Sequence, residues 1–423
     1  MSEKLAEVYE QYDMEILATR KGRGATILTT TSGLRILEPF RGSVTRLEQE
    51  YVLKQLFEEA GCTNLDYLIP NKEGSLFTCD KYRQPFVLKK HFEGNECDMH
   101  NPSDIVRAVR ALARFHIYGK KIVFQFQDAW QESLQEKEQK RIEEIKRAIA
   151  DGEEIEKISY VYEISSNALE EALRAAKMKE GQERKGTIGK NADKGKPKEN
   201  VIEKDMDDFD IESTFVRHNK ELKKIQKFIM GVKRKNAFEN LFLQVFWDYY
   251  RQGVECVEML SQVLKREDGV SAENIFQNHY GICHGSYNQH NVILDDKSEA
   301  IVHFERFSRG NQLNDLYQFA RKVMEKNHFG FTQLEDIFKT YGEQLELTKE
   351  DYRYMYILFS YPEKFWKIAN SYYNTSKAFL SPKYLEKLET VILQETEKHS
   401  MLEEYKKYYI TNTDGGLSFF EGV

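Results

Sequence analysis

The stretch His284–Leu294 (HGSYNQHNVIL) constrains the fold more than any other. A polar loop of eight residues, His284 to Asn291, runs straight into a short apolar strand, Val292-Ile293-Leu294. A turn at Asp295-Asp296-Lys297-Ser298 follows, and then a second strand, Ala300-Ile301-Val302-His303-Phe304. Turn residues between two apolar, β-branched runs specify a hairpin. Such a hairpin is too short to stand alone in water, so it demands a larger body around it.

At 423 residues the chain can bury a large core and exceeds the usual size of one domain, so two lobes are expected. Acidic residues outnumber basic ones, 69 to 62, for a net charge of −7. No overall basic field invites nucleic acid, and that partner class is set aside. No apolar run follows Met1, and no stretch approaches the roughly twenty apolar residues of a membrane helix. The expectation is a cytoplasmic protein without membrane insertion. The five cysteines (Cys62, Cys79, Cys97, Cys256, Cys283) are scattered, odd in number and form no C-x-x-C pair. They read as reduced structural thiols rather than a zinc or disulfide framework.

A short helix around Leu5, Val8, Tyr9 and Tyr12 leads to strands at Glu15–Thr19, Ala25–Thr31 and Leu34–Phe40, broken by Gly22-Arg23-Gly24 and Ser32-Gly33. A helix is predicted over Leu47–Glu59 with Gly61 as its stop, followed by strands Leu76–Lys81 and Pro85–His91 that end at Phe92-Glu93-Gly94. Three strands, a helix, two strands and a linker make the small lobe of a protein-kinase-like fold, residues 1–94. From Pro102 the pattern is helical, beginning with the amphipathic run Ile105–Ile117, so 95–423 is assigned to a larger helical lobe. Within it, 131–210 reads as a charged insertion. Gln131–Arg147 interleaves Glu with Lys and Arg as a solvated helix does. Residues 179–206 contain no aromatic side chain, cannot bury enough apolar surface, and are expected to be disordered. Helices resume at Phe215–Lys233 and Phe238–Val263. The fold class is α+β: a small antiparallel β lobe and a helical lobe, as in aminoglycoside phosphotransferases.

In phosphotransferase loops of this layout, the third position carries an Asp that serves as base and the eighth an Asn that binds metal. A second Asp, at the end of the next strand, holds the other magnesium contact. Here those places hold Ser286, Asn291 and His303. A serine hydroxyl cannot take a proton near neutral pH as a carboxylate can, and imidazole is a poor ligand for magnesium. Glu305, two residues on, could offer oxygen beside Asn291, which leaves a weak magnesium–ATP site conceivable without requiring any cofactor. His284, His290 and His303 could instead converge on a transition metal, but His284 reads better as a brace for loop backbone. Asp315 is read as structural too, bonding the loop or capping a helix at Leu316–Met324. In the small lobe, Gly22 and Gly24 sit where a hairpin bends over nucleotide phosphates, or where a turn simply needs positive φ. Ile36 and Glu38 share the cleft face of the third strand, and Glu38 stands where such folds present a lysine. Glu50, on the next helix, matches that lysine's usual partner. The two carboxylates should repel unless one is protonated or Arg35 or Arg46 steps between them. Glu38, Glu50 and Glu305 would make an acidic cleft suited to a cationic ligand or a Lys-rich peptide rather than a nucleotide.

These residues resemble the spore coat protein S (CotS) family of endospore-forming bacteria, a branch of the aminoglycoside-phosphotransferase and choline-kinase-like superfamily. The resemblance rests on Gly24–Pro39, Glu50, Phe92-Glu93-Gly94, Arg114-Phe115-His116, His218–Leu222, Cys283–Asn291, Asp315–Lys322 and Tyr361–Ile368. It implies a kinase-like protein acting in coat assembly, made in the mother-cell cytoplasm and then placed in the coat among other coat proteins, and the residues at Glu38, Ser286 and His303 make the expectation a pseudokinase. The alternative is an active small-molecule phosphotransferase in which Asn291 and Glu305 bind metal and Lys89 or Lys90 reaches the phosphates.

Overall fold

The computed structural model describes residues 5–150, 209–264, 278–375 and 382–411, so the segment 179–206 expected to be disordered lies outside the described residues. Residues 1–123 with 206–423 form one compact unit and 124–205 a second. In the second unit, 131–147 is helical with mainly exposed side chains. Among the described residues no helix is long and apolar enough to cross a membrane.

The first unit opens with a one-turn helix, α1 (Ala6–Tyr9), and three hairpin-linked strands, β1 (Ile16–Lys21), β2 (Thr26–Thr30) and β3 (Gly33–Pro39). Thr30 pairs with Gly33, whose φ of +106° closes the turn in a region open to glycine. After α2 (Val44–Glu59) come β4 (Thr78–Cys79) and β5 (Pro85–Lys90), and the sheet order is β1–β2–β3–β5–β4, antiparallel throughout. Alternation along the strands sorts the side chains. Leu37 and Leu88 face each other across β3 and β5 and pack with Val8, Tyr9, Tyr12, Leu28 and Phe86. The other face carries Ile36 opposite Lys89 and Glu38 opposite Val87.

The chain leaves this sheet through β6 (Asn95–Glu96) and enters α3 (Pro102–Ala150), α4 (Ile211–Gly231), α5 (Ala237–Leu264) and β7 (Tyr280–Cys283). Then come β8 (Val292–Leu294), β9 (Glu299–Ile301), β10 (Ser308–Asn311), α6 (Leu313–Lys326), α7 (Phe331–Gly342), α8 (Lys349–Ser360), α9 (Glu363–Asn374) and α10 (Lys383–Tyr405). β9 stops before the expected Phe304 because the Val302 N–H turns to the Asn291 carbonyl and His303 takes a φ of +67°. β6 pairs with β8, setting Glu96 against Ile293. Gly94 has a φ of +125°, and a Cβ there would collide with the Leu294 carbonyl.

Two separated runs meet in the helical core. Phe365 stacks on Tyr249 at 4.3 Å and on Phe242 at 5.3 Å. Tyr361 stacks on Phe215 at 3.6 Å and donates its hydroxyl to Asn219 at 2.9 Å. Trp366 lies on His218 at 3.3 Å and donates its indole N–H to Glu221 at 2.8 Å. The runs His218–Leu222 and Tyr361–Ile368 are thus two sides of one packed contact. Phe365→Ala should lower the unfolding free energy in urea titration by about 3–5 kcal/mol. Trp366→Phe, which keeps an aromatic ring but loses the bond to Glu221, should cost only about 1 kcal/mol. Equal losses would contradict this division of roles.

Candidate functional site

The loop after β7 is held from beneath. The Asp315 carboxylate, in the first turn of α6, accepts the backbone N–H of His284 at 2.5 Å and of Gly285 at 2.9 Å. His284 is fully buried, its Nε2 sits 3.0 Å from the Val302 carbonyl, and its Nδ1 lies 3.3 Å from the Ser286 N–H. Burial pushes its pKa down, so the neutral ring that donates from Nε2 and accepts at Nδ1 fits both contacts. His116 adds a second brace, 2.8 Å from the Tyr341 hydroxyl and 3.4 Å from Asp315. The Ser286 hydroxyl is 3.4 Å from His284 Nδ1, and Asn291 donates its amide to the Ser286 carbonyl at 2.9 Å. The loop's side chains therefore tie the loop to itself.

Across the cleft, Lys89 of β5 is buried and gathers carboxylates from four parts of the chain. Its Nζ is 3.3 Å from Glu305, 3.6 Å from Glu38, 3.7 Å from Asp66 and 3.8 Å from Glu50. Lys54, one turn after Glu50, lies 2.6 Å from both Glu50 and Asp66 and also donates to the Asp66 carbonyl at 2.8 Å. Burial works against the charge on Lys89, but Glu50, Asp66, Glu305 and Glu38 together raise its pKa well above the ordinary value. Burial likewise opposes ionisation of Asp66, and Lys54 and Lys89 outweigh it, so its pKa falls. Glu305 is held well below the usual carboxylate range: burial opposes this, while His303 and Lys89 override it. His303 donates its backbone N–H to Asp66 at 3.0 Å, and its Nδ1 lies 3.7 Å from Glu305. Its pKa is raised by Glu305 against the effect of burial, with help from Asp66 and Glu38. Position 303, where the sequence reading looks for a metal-binding carboxylate, thus favours an imidazolium.

Arg35 and Arg46, the two arginines that could have stepped between Glu38 and Glu50, are engaged elsewhere. Arg35 donates to the carbonyls of Leu34 (2.8 Å) and Ser32 (2.9 Å) within its own hairpin. Arg46 lies on the Phe307 ring at 3.5 Å and donates to backbone at Glu305 (3.4 Å) and Phe307. Burial lowers its pKa to about 10, partly offset by Glu50. The cation between Glu38 and Glu50 is Lys89, while Lys54 ties Glu50 to Asp66. At the mouth, Gly24 has a φ of +72° and the Gly22 N–H is spent on the Ala25 carbonyl at 2.9 Å. Arg23 between them reaches Glu96 (3.5 Å) and His290 (3.4 Å), and His290 also bonds Glu96. Behind this tie lies a cavity of about 410 Å³ walled by Ile27, Ile36, Ile293 and Val302 and bordered by Glu38, Asp66, Asn291 and His303. Glu305 and Lys89 instead line a second cavity of about 490 Å³ with Glu38, Glu50 and Arg46. Asn291 and Glu305 therefore face different cavities. Among the described residues no group of three or more His, Cys, Asp or Glu is placed to hold a metal ion. His284, His290 and His303 do not converge: each has its own partner in a different part of the site.

No sequence-family model matches the chain, and no curated protein matches it in sequence. Among solved structures, it is similar to an aminoglycoside phosphotransferase from Alicyclobacillus acidocaldarius, with a TM-score of 0.62 at 13% identity over 94% of each chain. It is also similar to a spectinomycin phosphotransferase in complex with ADP and spectinomycin, with a TM-score of 0.52 at 11% identity over 93% of this chain and 98% of the other. The chain has the aminoglycoside phosphotransferase fold. Identity this low speaks to the fold alone, so the chemistry has to be argued from this cleft.

Within that fold, sequence reading found Glu38 and Glu50 but missed Lys54 and Asp66. Lys54 had a signal, its spacing of four residues from Glu50 on a helix. Asp66 had none, since it reaches the cluster from a loop.

Lys89→Met would leave Glu50 and Asp66 with Lys54 alone and take the lysine from Glu38 and Glu305, and urea titration at neutral pH should show a loss of about 3–5 kcal/mol. Adding Glu38→Gln should recover part of it. A His303→Asn variant tests the imidazolium. With a folded pKa raised above the unfolded value near 6.5, His303 contributes stability fully present below that pH and lost as pH rises through the folded value. The variant's stability deficit should therefore shrink on the alkaline side. A deficit independent of pH would rule out the charge.

Proposed function

We propose that this chain is a phosphotransferase-fold protein that does not transfer phosphate and serves as a scaffold in the coat of a bacterial endospore. The observation that carries the first half is the enclosure of Lys89 by Glu38, Glu50, Asp66 and Glu305. A phosphate approaching that ammonium meets carboxylates first, and repulsion between unit charges a few ångströms apart is worth several kcal/mol at an effective dielectric of about 20. Ser286, at the place of the catalytic base, adds a second deficit, and His303 at the metal position a third. The coat assignment rests on the sequence resemblance: Gly24–Pro39, Cys283–Asn291 and the Tyr361–Ile368 run, which supports a structural contact with His218–Leu222. On this reading no cofactor is required, and the partners are other coat proteins met after synthesis in the mother cell. A cationic ligand or Lys-rich peptide entering the cleft would compete with Lys89 for the same carboxylates.

The second reading, an ATP-dependent small-molecule phosphotransferase, is favoured by one feature. Lys89 brings an ammonium to the cleft from the strand next to the one that lost it. Thermal shift with ATP and magnesium separates the two. The scaffold reading expects no saturable rise in Tm and no nucleotide turnover. A saturable rise, with turnover abolished by Lys89→Met, Asn291→Ala or Glu305→Ala, would establish the enzyme instead.

A further inference from the structure

We propose that the outer face of α4 is a docking surface for an anionic lipid bilayer. This inference does not rest on the reading of the cleft. Arg217, Lys220, Lys224 and Lys227 recur at intervals of three and four, which aligns them in one row along the helix. All four are exposed, and the exposed Lys233 and Arg234 continue the charge past its C-terminal end. None of these six has an ion-pair partner among the described residues. The inner face of the same helix is fixed by burial of Leu222, Ile225 and Ile229, so the row cannot turn away from solvent.

Helical geometry puts Lys223 and Phe228 on opposite edges of the row. On one edge, the Lys223 ammonium lies 4.1 Å from the Trp247 ring and 4.7 Å from Tyr250. On the other, Phe228 meets Tyr373 of α9 edge-on at 5.2 Å. Trp247, Phe228 and Tyr373 remain 52%, 44% and 42% exposed, and Met230 is 60% exposed. Asp248, beside Trp247, is an exposed acid at this border.

A one-signed strip edged by exposed aromatics, on a chain of net charge −7, attracts an extended negative surface. Four of its six charges are lysines, point charges suited to a field of lipid phosphates rather than to bidentate recognition. Aromatic and Met side chains at its edges find a place at the headgroup boundary, whereas a nucleic-acid duplex keeps its bases stacked on one another and out of their reach.

Flotation of the full chain with phosphatidylcholine vesicles, with and without one third phosphatidylglycerol, tests this. Binding is expected to the anionic vesicles alone and should fall as salt rises. Lys224→Gln with Lys227→Gln should weaken it about twenty-fivefold, roughly fivefold per charge removed. Lys339→Gln on α7, a distant exposed charge, should leave it unchanged. Phe228→Ser with Tyr373→Ser should weaken binding even at low salt, with circular dichroism melts confirming that each variant folds. The proposal is overturned if the chain ignores anionic vesicles, or if the paired Lys variant binds like the parent. Retention on DNA or an acidic peptide without vesicle binding would equally overturn it and give the strip to another polyanion.

Discussion

The ammonium of Lys89 gathers four parts of the chain at one point: β3 through Glu38, α2 through Glu50, the following loop through Asp66 and the segment beyond β9 through Glu305. Burying a cation costs several kcal/mol even after relaxation, and a single carboxylate returns about that much at an effective dielectric near 20. One partner would leave the site near balance, whereas several hold it firmly. The carboxylates then repel one another, and Lys54, itself buried, is what keeps Glu50 and Asp66 together. The small sheet, its helix and the loop region of the helical part are thereby locked by charge as well as by apolar packing. The same lock leaves the Lys89 ammonium already surrounded by carboxylates.

The loop at His284–Asn291 keeps its shape through bonds that do not depend on a carboxylate at position 286. Its shape is set by Asp315 accepting two backbone N–H groups, by neutral His284 bridging to Val302, and by Asn291 turned onto Ser286. These bonds draw on the backbone at position 286, whose carbonyl accepts the Asn291 amide, and need no carboxylate side chain there. A serine at position 286 therefore costs the loop little, and the apolar walls of the adjoining cavity are equally indifferent to it.

Much of this was legible in the sequence because it depends on period and turn chemistry. Strand alternation placed Ile36 and Glu38 on the cleft face, and the turn residues around Gly33 and Asp295 marked hairpins that the structure contains. Helix limits shifted by a few residues, as at α6, which begins at Leu313 rather than Leu316. What escaped was the charge partner. Pairing Glu38 with Lys89 requires the register of β3 against β5, and Asp66 comes from a segment without periodicity. Arg46 was a reasonable candidate by distance along the helix, but the Phe307 ring and nearby carbonyls capture it first. Local pattern specifies a face; it does not say which of several cations will arrive there.

The pairing of β6 with β8 bears on motion. In two-part folds of this kind the crossing strand is the natural hinge, yet here it is a rung of the loop's own ladder, with Gly94 pressed against Leu294. Bending at that pivot means breaking backbone hydrogen bonds, and the Arg23–Glu96–His290 tie adds resistance at the rim. Amide groups lining the crossing should accordingly be among the slower-breathing parts of the cleft.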